Sequence, residues 1–325
     1  MDNYELYHGD CLVESDKIEN GSVDLILTDL PYGTVKGMGE NIPKYDRLNK
    51  AEWDVIIPTD KVMAVANRIL RINGRMVLFS QEPYTTELIN GAIANVPFNY
   101  RMIWEKDHFA NALLSKKAPV SYYEDILVFT KQHDFEGLHP LRRYFKEVMD
   151  YMGCTKKNVI DVIGQKADHV FRVNSSQFDL CTEKTYGESI YLFGIDEMEG
   201  FMPFAELAEI NATFNATFNL WNGKEYKGNI LKYKKDYNGY HPTQKPVLLL
   251  EDLIKTFSNR NNLVVDLTMG SGTTGVACMN TNRRFIGIEK EKQYFDIAQK
   301  RISEASKVTN LFNTEETITE QLCLS

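Results

Sequence analysis

LVVDLTMGSGTTGVACMN, residues 263–280, decides how the chain folds. A short apolar run stops on Asp266, as a strand covered on both faces does. Gly270 and Gly272 then turn the chain into a helix that begins near Thr273. Glycine supplies backbone angles that other residues avoid and lets main chain approach a ligand closely. A second strand, in RRFIGIEKE, ends on Glu289, about 20 residues further on, a spacing that suits a carboxylate bonding ribose hydroxyls. A glycine turn alone also occurs at plain strand-to-helix junctions. With the spaced acid it points to a nucleoside-containing cofactor. No Gly-Lys-Ser or Gly-Lys-Thr is present in this turn, which argues against a phosphate-cradling loop.

Outward from that stretch, the N-terminal part repeats the strand-and-helix pattern. VDLILTD (23–29) is a continuous apolar run, and MVLFS (76–80) follows a helix expected over 60–71 with its stop at Asn73-Gly74. NYRMIWEK (99–106) and EDILVFTK (124–131) read as two further strands, joined by a polar stretch read as a surface loop. The pattern changes after Lys131. Helices are expected over 141–152 and 155–163, across Gly153, and again after Thr182. Two short helices across a glycine turn suit a helix-turn-helix module or a plain helical hairpin. The α/β pattern resumes with VLLLEDLIKTFS and closes with EKQYFDIAQKRI. The expected organisation is a split α/β domain (1–131 and 239–305), an insert (132–238) and a loose polar tail (306–325).

The 325 residues are 43% hydrophobic and 25% charged, which allows one large globular domain plus an insert. No apolar run approaches a membrane span and the N-terminus has no signal-peptide pattern, so the expected location is the cytoplasm. The five cysteines are scattered, with no close pair of ligand spacing, so neither a disulfide framework nor a metal site is indicated. A net charge of −8 leaves nucleic-acid binding open, because local charge sets the field a phosphate feels. Residues 223–246 hold a local excess of lysines interleaved with tyrosines. That mixture suits a nucleic-acid backbone groove, but a solvated lysine-rich loop is the preferred reading.

LILTDLPYGT (25–34) carries the chemistry. Asp29 ends a strand which, if it is adjacent to the Asp266 strand, opens its C-terminal end onto the same ligand crevice. Its carboxylate can accept one hydrogen of an exocyclic amino group. The carbonyl of Pro31, fixed by the rigid ring, can accept the other. Tyr32 can stack on the base through its ring face, with no use for its hydroxyl. Two acceptors on one amino group draw its hydrogens out of the ring plane and free the nitrogen lone pair to attack. A plain Pro-Tyr-Gly turn is the other reading of these residues taken alone.

TDLPYG, DLTMGSGTTGVA, FIGIE and HPTQKPVLLLEDLI together resemble the amino-group DNA methyltransferases that use S-adenosylmethionine. The order of the motifs resembles the permuted β group. The resemblance covers residues 4–131 and 240–302. It implies an α/β, Rossmann-like, circularly permuted fold: a seven-stranded, mostly parallel sheet with a mainly helical target-recognition insert. It also implies that Asp266, Gly270, Gly272 and Glu289 hold the methionine and ribose parts of the cofactor. Asp10 in HGDC would hold the adenine ring, and Thr243, Gln244, Lys245 and Pro246 would line the methionine side. Cys11, Asp29, Met269, Thr273 and Thr274 complete the expected cofactor set, although Cys11 also reads as a small packing residue. Asp29, Pro31 and Tyr32 would be the catalytic pocket. Two positions depart from the family pattern: Leu30 stands where proline is usual, and Met269 where an aromatic is usual. Met269 can still pack on the cofactor as a flexible apolar surface.

The insert resembles, more loosely, the recognition region of phage-type members. Lys156, Lys157, Lys166, His169, Arg172 and Asn174 are the expected contacts to double-stranded DNA. The reaction implied is direct in-line transfer of methyl to adenine N6 with base flipping, without metal. The alternatives are cytosine N4 methylation, for which Ser more often replaces Asp29, and a non-catalytic DNA-binding protein that keeps the cofactor fold. The resemblance also brings restriction-modification into view and, from the habits of the group, a homodimer. No residue pattern bears on a companion endonuclease.

Overall fold

The computed structural model describes residues 3–33, 54–110, 115–116, 119–132, 139, 141–175, 177–214, 216–236 and 244–323. Two compact units are present, 133–215 and the remainder of the chain.

The larger unit is built on an eight-stranded sheet, in spatial order β1-β8-β7-β2-β3-β5-β4-β6. The strands are β1 (Tyr4–His8), β2 (Val23–Asp29), β3 (Leu70–Ser80), β4 (Phe98–Ala110), β5 (Ser121–Thr130), β6 (Ile230–Lys232), β7 (Leu263–Asp266) and β8 (Arg284–Glu289). The five strands from β1 to β3 in that order run parallel; β5 and β4 then pair antiparallel, and β6 adds parallel to β4. The sheet is therefore mostly parallel as expected, with one strand more than the seven expected, the three-residue edge strand β6. Because β7 pairs with β2, the C-terminal motifs sit beside the N-terminal one despite their distance in sequence.

Alternation along the central strands feeds two cores. Leu25, Leu27, Val77, Phe79 and Val264 pack on one face with the helices α8 (Val247–Phe257), α9 (Thr273–Asn280) and α10 (Lys292–Cys323). Ile26, Met76, Leu78 and Val265 pack on the other with α1 (Cys11–Glu14), α2 (Thr59–Ile69) and α3 (Tyr84–Asn90). In α8, Leu249, Leu250, Leu253, Ile254 and Phe257 are buried while Leu248 is exposed, the one-sided pattern of a helix laid on a sheet. Full burial of both faces explains why the strands read as unbroken apolar runs.

Three expectations are corrected. The closing helix runs to Cys323, where a loose tail was expected from 306; no glycine or proline interrupts 292–323. Strands β4 and β5 extend into what read as a surface loop, to Ala110 and from Ser121. The insert was expected to reach 238, but residues 216–236 lie with the larger unit. There Asp252 of α8 accepts from Trp221 Nε1 (2.9 Å), Lys227 Nζ (2.5 Å) and Tyr233 OH (2.9 Å), which straps the segment down. The Lys227 side chain is accordingly mostly shielded, at 9% exposure, rather than solvated, although Lys224 and Tyr226 are exposed.

The smaller unit contains α4 (Leu141–Met152), α5 (Lys156–Ile163), α6 (Glu183–Phe193) and α7 (Phe204–Phe214). Thr155 and Thr182 cap α5 and α6 through their side chains. Its core gathers Phe145, Val148, Val159, Phe171 and Tyr186. The buried hydroxyls of Tyr144 and Tyr186 bond to each other, and Tyr186 donates on to Met202 O (2.8 Å). Among the described residues, no helix is long and apolar enough to cross a membrane.

Candidate active site

Four parallel strands end side by side, and each delivers an acid at or just past its C-terminal end: Asp10 after β1, Asp29 on β2, Asp266 on β7 and Glu289 on β8. Ligands bind at this edge of an α/β sheet.

Asp266 is buried and faces inward. It accepts from Thr28 Oγ1 (2.7 Å), Thr274 Oγ1 (2.6 Å) and the Thr268 amide (3.1 Å). Burial pushes its carboxyl up to about 6 against those three donors. Asp266 and Thr274 therefore clamp the glycine turn from beneath. Glu289 Oε2 accepts from the Gly270 amide (2.8 Å) and Oε1 from the Glu291 amide (2.7 Å). Each oxygen keeps a further lone pair. Gly270 and Gly272 both have positive φ, +51° and +78°. A side chain at Gly272 would meet Ala298 at 2.8 Å, so that glycine admits α10. Arg301 on α10 donates to Ser271 O (2.6 Å) and approaches Thr273 Oγ1 (3.2 Å).

The remaining expected cofactor residues divide. Asp10 caps α1 through the Leu12 amide (3.0 Å), with Lys290 Nζ at 3.6 Å from its other oxygen. Cys11 is a buried core member whose thiol burial pushes up to about 11, so it packs rather than reacts. Met269 turns inward: it is 4% exposed, and its sulfur lies where a Gly287 side chain would stand. It packs on β8, a correction to the expectation of a surface for the cofactor; the bare glycine in FIGIE makes the room. Gln244 is buried beside the turn, with Ser271 Oγ 3.4 Å from its Oε1 and, among the described residues, no partner for its Nε2. Pro246 caps α8. Thr243 lies outside the described residues.

In the expected pocket, Leu30 is buried in the core, so its side chain does not alter the polar edge. Asp29 Oδ1 accepts from Tyr32 OH (2.6 Å), and Oδ2 pairs with Lys245 Nζ. The Tyr32 hydroxyl is thus engaged, contrary to the expectation that only its ring face matters. Its ring lies 6.1 Å from that of Tyr84. Pro31 is partly exposed at the strand end. Gly33 is fixed by the buried carboxylate of Asp54 (2.9 Å). Burial raises the Asp29 carboxyl against the pull of Lys245. Lys245 does not stand free as a cofactor contact: it bridges Asp29 to Glu124 Oε2 (3.1 Å).

Glu124, with Lys106 behind it, is what the sequence reading missed. Strand β5 runs antiparallel to β3, with Ser80 paired to Asp125. Its beginning, rather than its end, therefore shares the crevice edge. An acid opening EDILVFTK is a visible signal only once that reversal is recognised.

In the smaller unit, Lys156 pairs with Asp168 (2.7 Å), Arg172 with the same carboxylate, and Lys166 with Glu188 (2.5 Å). Lys157 and Asn174 are exposed; His169 is exposed with Nδ1 3.1 Å from Gln177 O. The six expected DNA contacts thus separate into three committed to internal ion pairs and three at the surface.

Residues 23–300 match the family model described as DNA methylase. Among curated relatives, the type II methyltransferase M2.LlaDCHI of Lactococcus lactis subsp. cremoris is 26% identical over 309 residues, covering 94% of this chain and 91% of the relative. The DNA adenine methyltransferase YhdJ of Escherichia coli K12 is 27% identical over 318 residues, covering 93% and 83%. The solved structure of the M1.HpyAVI–SAM complex superposes with a TM-score of 0.52 at 20% identity, covering 92% of this chain and 98% of that one, a likeness of fold. The match runs from the first residue of β2 through β8, across every strand-end acid except Asp10, and the chain belongs to the DNA methylase family.

Proposed function

We propose that the protein transfers the methyl group of S-adenosylmethionine to N6 of adenine in duplex DNA. The observation that carries this reading is the end of β2. There a partly buried carboxylate, a proline carbonyl and a tyrosine ring follow one another at the crevice edge, in a chain of the DNA methylase family.

The cofactor site fits its ligand by an orphaned group: Gln244 Nε2 is a buried amide donor next to the glycine turn, without a partner among the described residues. An unpaired buried donor is costly, and a carboxylate such as that of methionine satisfies it. Glu289 offers its spare lone pairs to ribose hydroxyls while its backbone bonds hold it still. When bound, S-adenosylmethionine supplies an electrophilic methyl on a sulfonium.

The other steps belong to this chain. The target leaves the base stack, since its amino group is paired within a duplex. Asp29 accepts one amino hydrogen and Pro31 O the other, which turns the lone pair toward the methyl. On gaining the methyl that the bound cofactor would supply, with the sulfonium leaving as a neutral thioether, the amino nitrogen would be cationic. It then loses one proton to Asp29 or water, and the raised proton affinity of Asp29 suits it to receive that proton. The name of YhdJ, an adenine enzyme, supports the choice of base. Selection of the target sequence falls to residues 133–215 in this reading, with Lys157, His169 and Asn174 as the surface contacts.

Duplex DNA treated with the protein and S-adenosylmethionine, digested and resolved by mass spectrometry, should yield N6-methyldeoxyadenosine. N4-methyldeoxycytidine in its place would overturn the base assignment, and no methylated nucleoside would overturn the reaction.

A further inference from the structure

Asp29 is one end of a line of four charges that alternate in sign: Asp29, Lys245, Glu124, Lys106. Lys245 Nζ pairs with Asp29 Oδ2 and lies 3.1 Å from Glu124 Oε2; Glu124 Oε1 lies 2.5 Å from Lys106 Nζ. Side-chain exposure along the line is 24%, 6%, 10% and 2%, so only the Asp29 end is open to an incoming group. Aromatic faces wall the two cations. Lys245 Nζ is 5.1 Å from the Phe79 ring centre and 5.8 Å from that of Tyr32, and Lys106 Nζ is 5.3 Å from Trp104.

This arrangement poses a difficulty for the proposed reaction, on which the inference rests. Both oxygens of Asp29 are already engaged, by Tyr32 and by Lys245. Each keeps a further lone pair, but an ammonium seated on Oδ2 crowds that oxygen and draws off the negative charge that the target amino hydrogen needs. An ammonium cannot simply withdraw into an apolar wall, because an uncompensated buried charge is strongly destabilising. Glu124 removes that obstacle. An ammonium has three donors and can hold two carboxylates at once. A short shift of Lys245 toward Glu124 frees an acceptor on Asp29 without leaving the cation unpaired.

We propose that Glu124 is a positioning residue for methyl transfer: it is the second seat of the Lys245 ammonium, which moves toward it when the target amino group takes its place on Asp29. Lys106 sets how strongly that seat pulls, by neutralising Glu124 from the far side.

Among the described residues, the charged and titratable groups that face this line are Tyr32 at the end of β2, Asp266 on β7 and Lys235 after β6, with Tyr84 of α3 behind Tyr32. Glu124 raises the Asp29 carboxyl and Lys245 lowers it. In Glu124→Gln a like charge is lost and the cation stays on Asp29, so both changes lower the proton affinity of Asp29. In Lys106→Gln the Glu124 seat pulls harder on Lys245, and the proton affinity of Asp29 rises.

The test is single-turnover methylation of duplex DNA across pH, with cofactor affinity measured by calorimetry. The wild type is read first; absence of methylated base there overturns the functional reading and not this inference. In Glu124→Gln the rate should fall about tenfold, the factor carried by one charge-assisted hydrogen bond of modest strength. The acid limb of its profile should move to lower pH, with cofactor affinity unchanged. In Lys106→Gln the limb should move the other way. Loss of packing cannot produce opposite shifts. If either single variant fails to fold, Lys106→Met/Glu124→Gln removes the outer pair without changing net charge and should behave as Glu124→Gln. A wild-type rate and an unmoved limb in Glu124→Gln, or in the double variant where that is used, would overturn the proposal; so would shifts of the same sign in the two single variants.

Discussion

Asp266 in the larger unit and Asp168 in the smaller one are both shielded aspartates, held in opposite ways. Asp266 sits among two threonine hydroxyls and one amide with no cation, and burial pushes it up to about 6. Asp168 is gripped by Lys156 and Arg172, whose hydrogen bonds hold it down to about 2. The larger unit fixes Asp266 and Glu289 with neutral donors, which leaves them able to change protonation or to bond a ligand, whereas its Asp29 is held between a hydroxyl and an ammonium. The smaller unit saturates its acid with charge and spends three candidate DNA contacts on its own surface. Residue type alone gives the same letters for both. What differs is whether a carboxylate comes at a strand end facing a crevice or between cations on short helical turns.

The largest expected effect would break the larger unit's side of that contrast at its open end. Asp29→Ala removes an acceptor and the proton sink, while Lys245 keeps Glu124 and so stays paired. The loss should fall on the chemical step, on the order of 100-fold or more in single-turnover rate. Near-normal rates would make the Asp29–Tyr32 stretch a structural turn. The engaged hydroxyl of Tyr32 sharpens the point. Tyr32→Phe should cost some rate through Asp29, and Tyr32→Ala more, because base stacking worth about 1–3 kcal/mol is lost as well.

Glu289→Ala should come next. It deletes the acceptor for the Gly270 and Glu291 amides together with the proposed ribose contact. Cofactor affinity by calorimetry should fall about tenfold or more, as expected when buried donors lose their partner. An unchanged affinity in a folded variant would remove Glu289 from the cofactor site.

The sequence made these strand-end acids legible because a parallel strand writes its direction into its residues: an apolar run, then an acid, then a turn. VDLILTD, LVVD and RFIGIE all carry that grammar; β7 lies beside β2, the adjacency on which the crevice reading depends, and β8 beside β7. Glu124 and Lys106 were not legible, because an antiparallel pair reverses which end meets the crevice and nothing local marks the reversal. Met269 was misread for a related reason. Its direction depends on the missing side chain of Gly287, on a different strand. In the smaller unit the helices over 141–152 and 155–163 followed from the turn at Gly153, but ion pairs across turns, such as Lys166 with Glu188, have no sequence period to reveal them.

The two aspartates predict opposite pH behaviour. Asp266 has a folded-state affinity for protons above its unfolded value, so its contribution to stability is fullest at low pH. That contribution is lost as pH rises from about 4 to about 6. A shift of this size is worth about 3 kcal/mol, each unit being about 1.4. Asp168 has the reverse sign: its contribution is present above the ordinary carboxylate range and lost as pH falls toward 2. Denaturant midpoints of cofactor-free protein between pH 4 and 7 should therefore lose a falling component in Asp266→Asn. Asp168→Asn should leave that component in place and instead lose resistance to acid. The same profile in Asp266→Asn and wild type would show that Asp266 is no more basic than an ordinary carboxylate.

The smallest effect separates the surface lysine from its paired neighbour. Lys157 is exposed, and among the described residues it makes no ion pair, whereas Lys156 next to it is tied to Asp168. If residues 133–215 meet DNA, a free cation contributes by releasing counterions from one phosphate, and a committed one contributes mostly to its own fold. Lys157→Ala should weaken duplex binding evenly across sequences and lower the slope of log affinity against log salt by about 1. Lys156→Ala should leave the slope nearly alone and lower the melting temperature, since Asp168 then relies on Arg172. Titrations at several salt concentrations, paired with thermal melts, read both. A slope that drops for Lys156 and not for Lys157 would mean that the Asp168 pair opens on DNA and that the internal ion pairs are a resting arrangement.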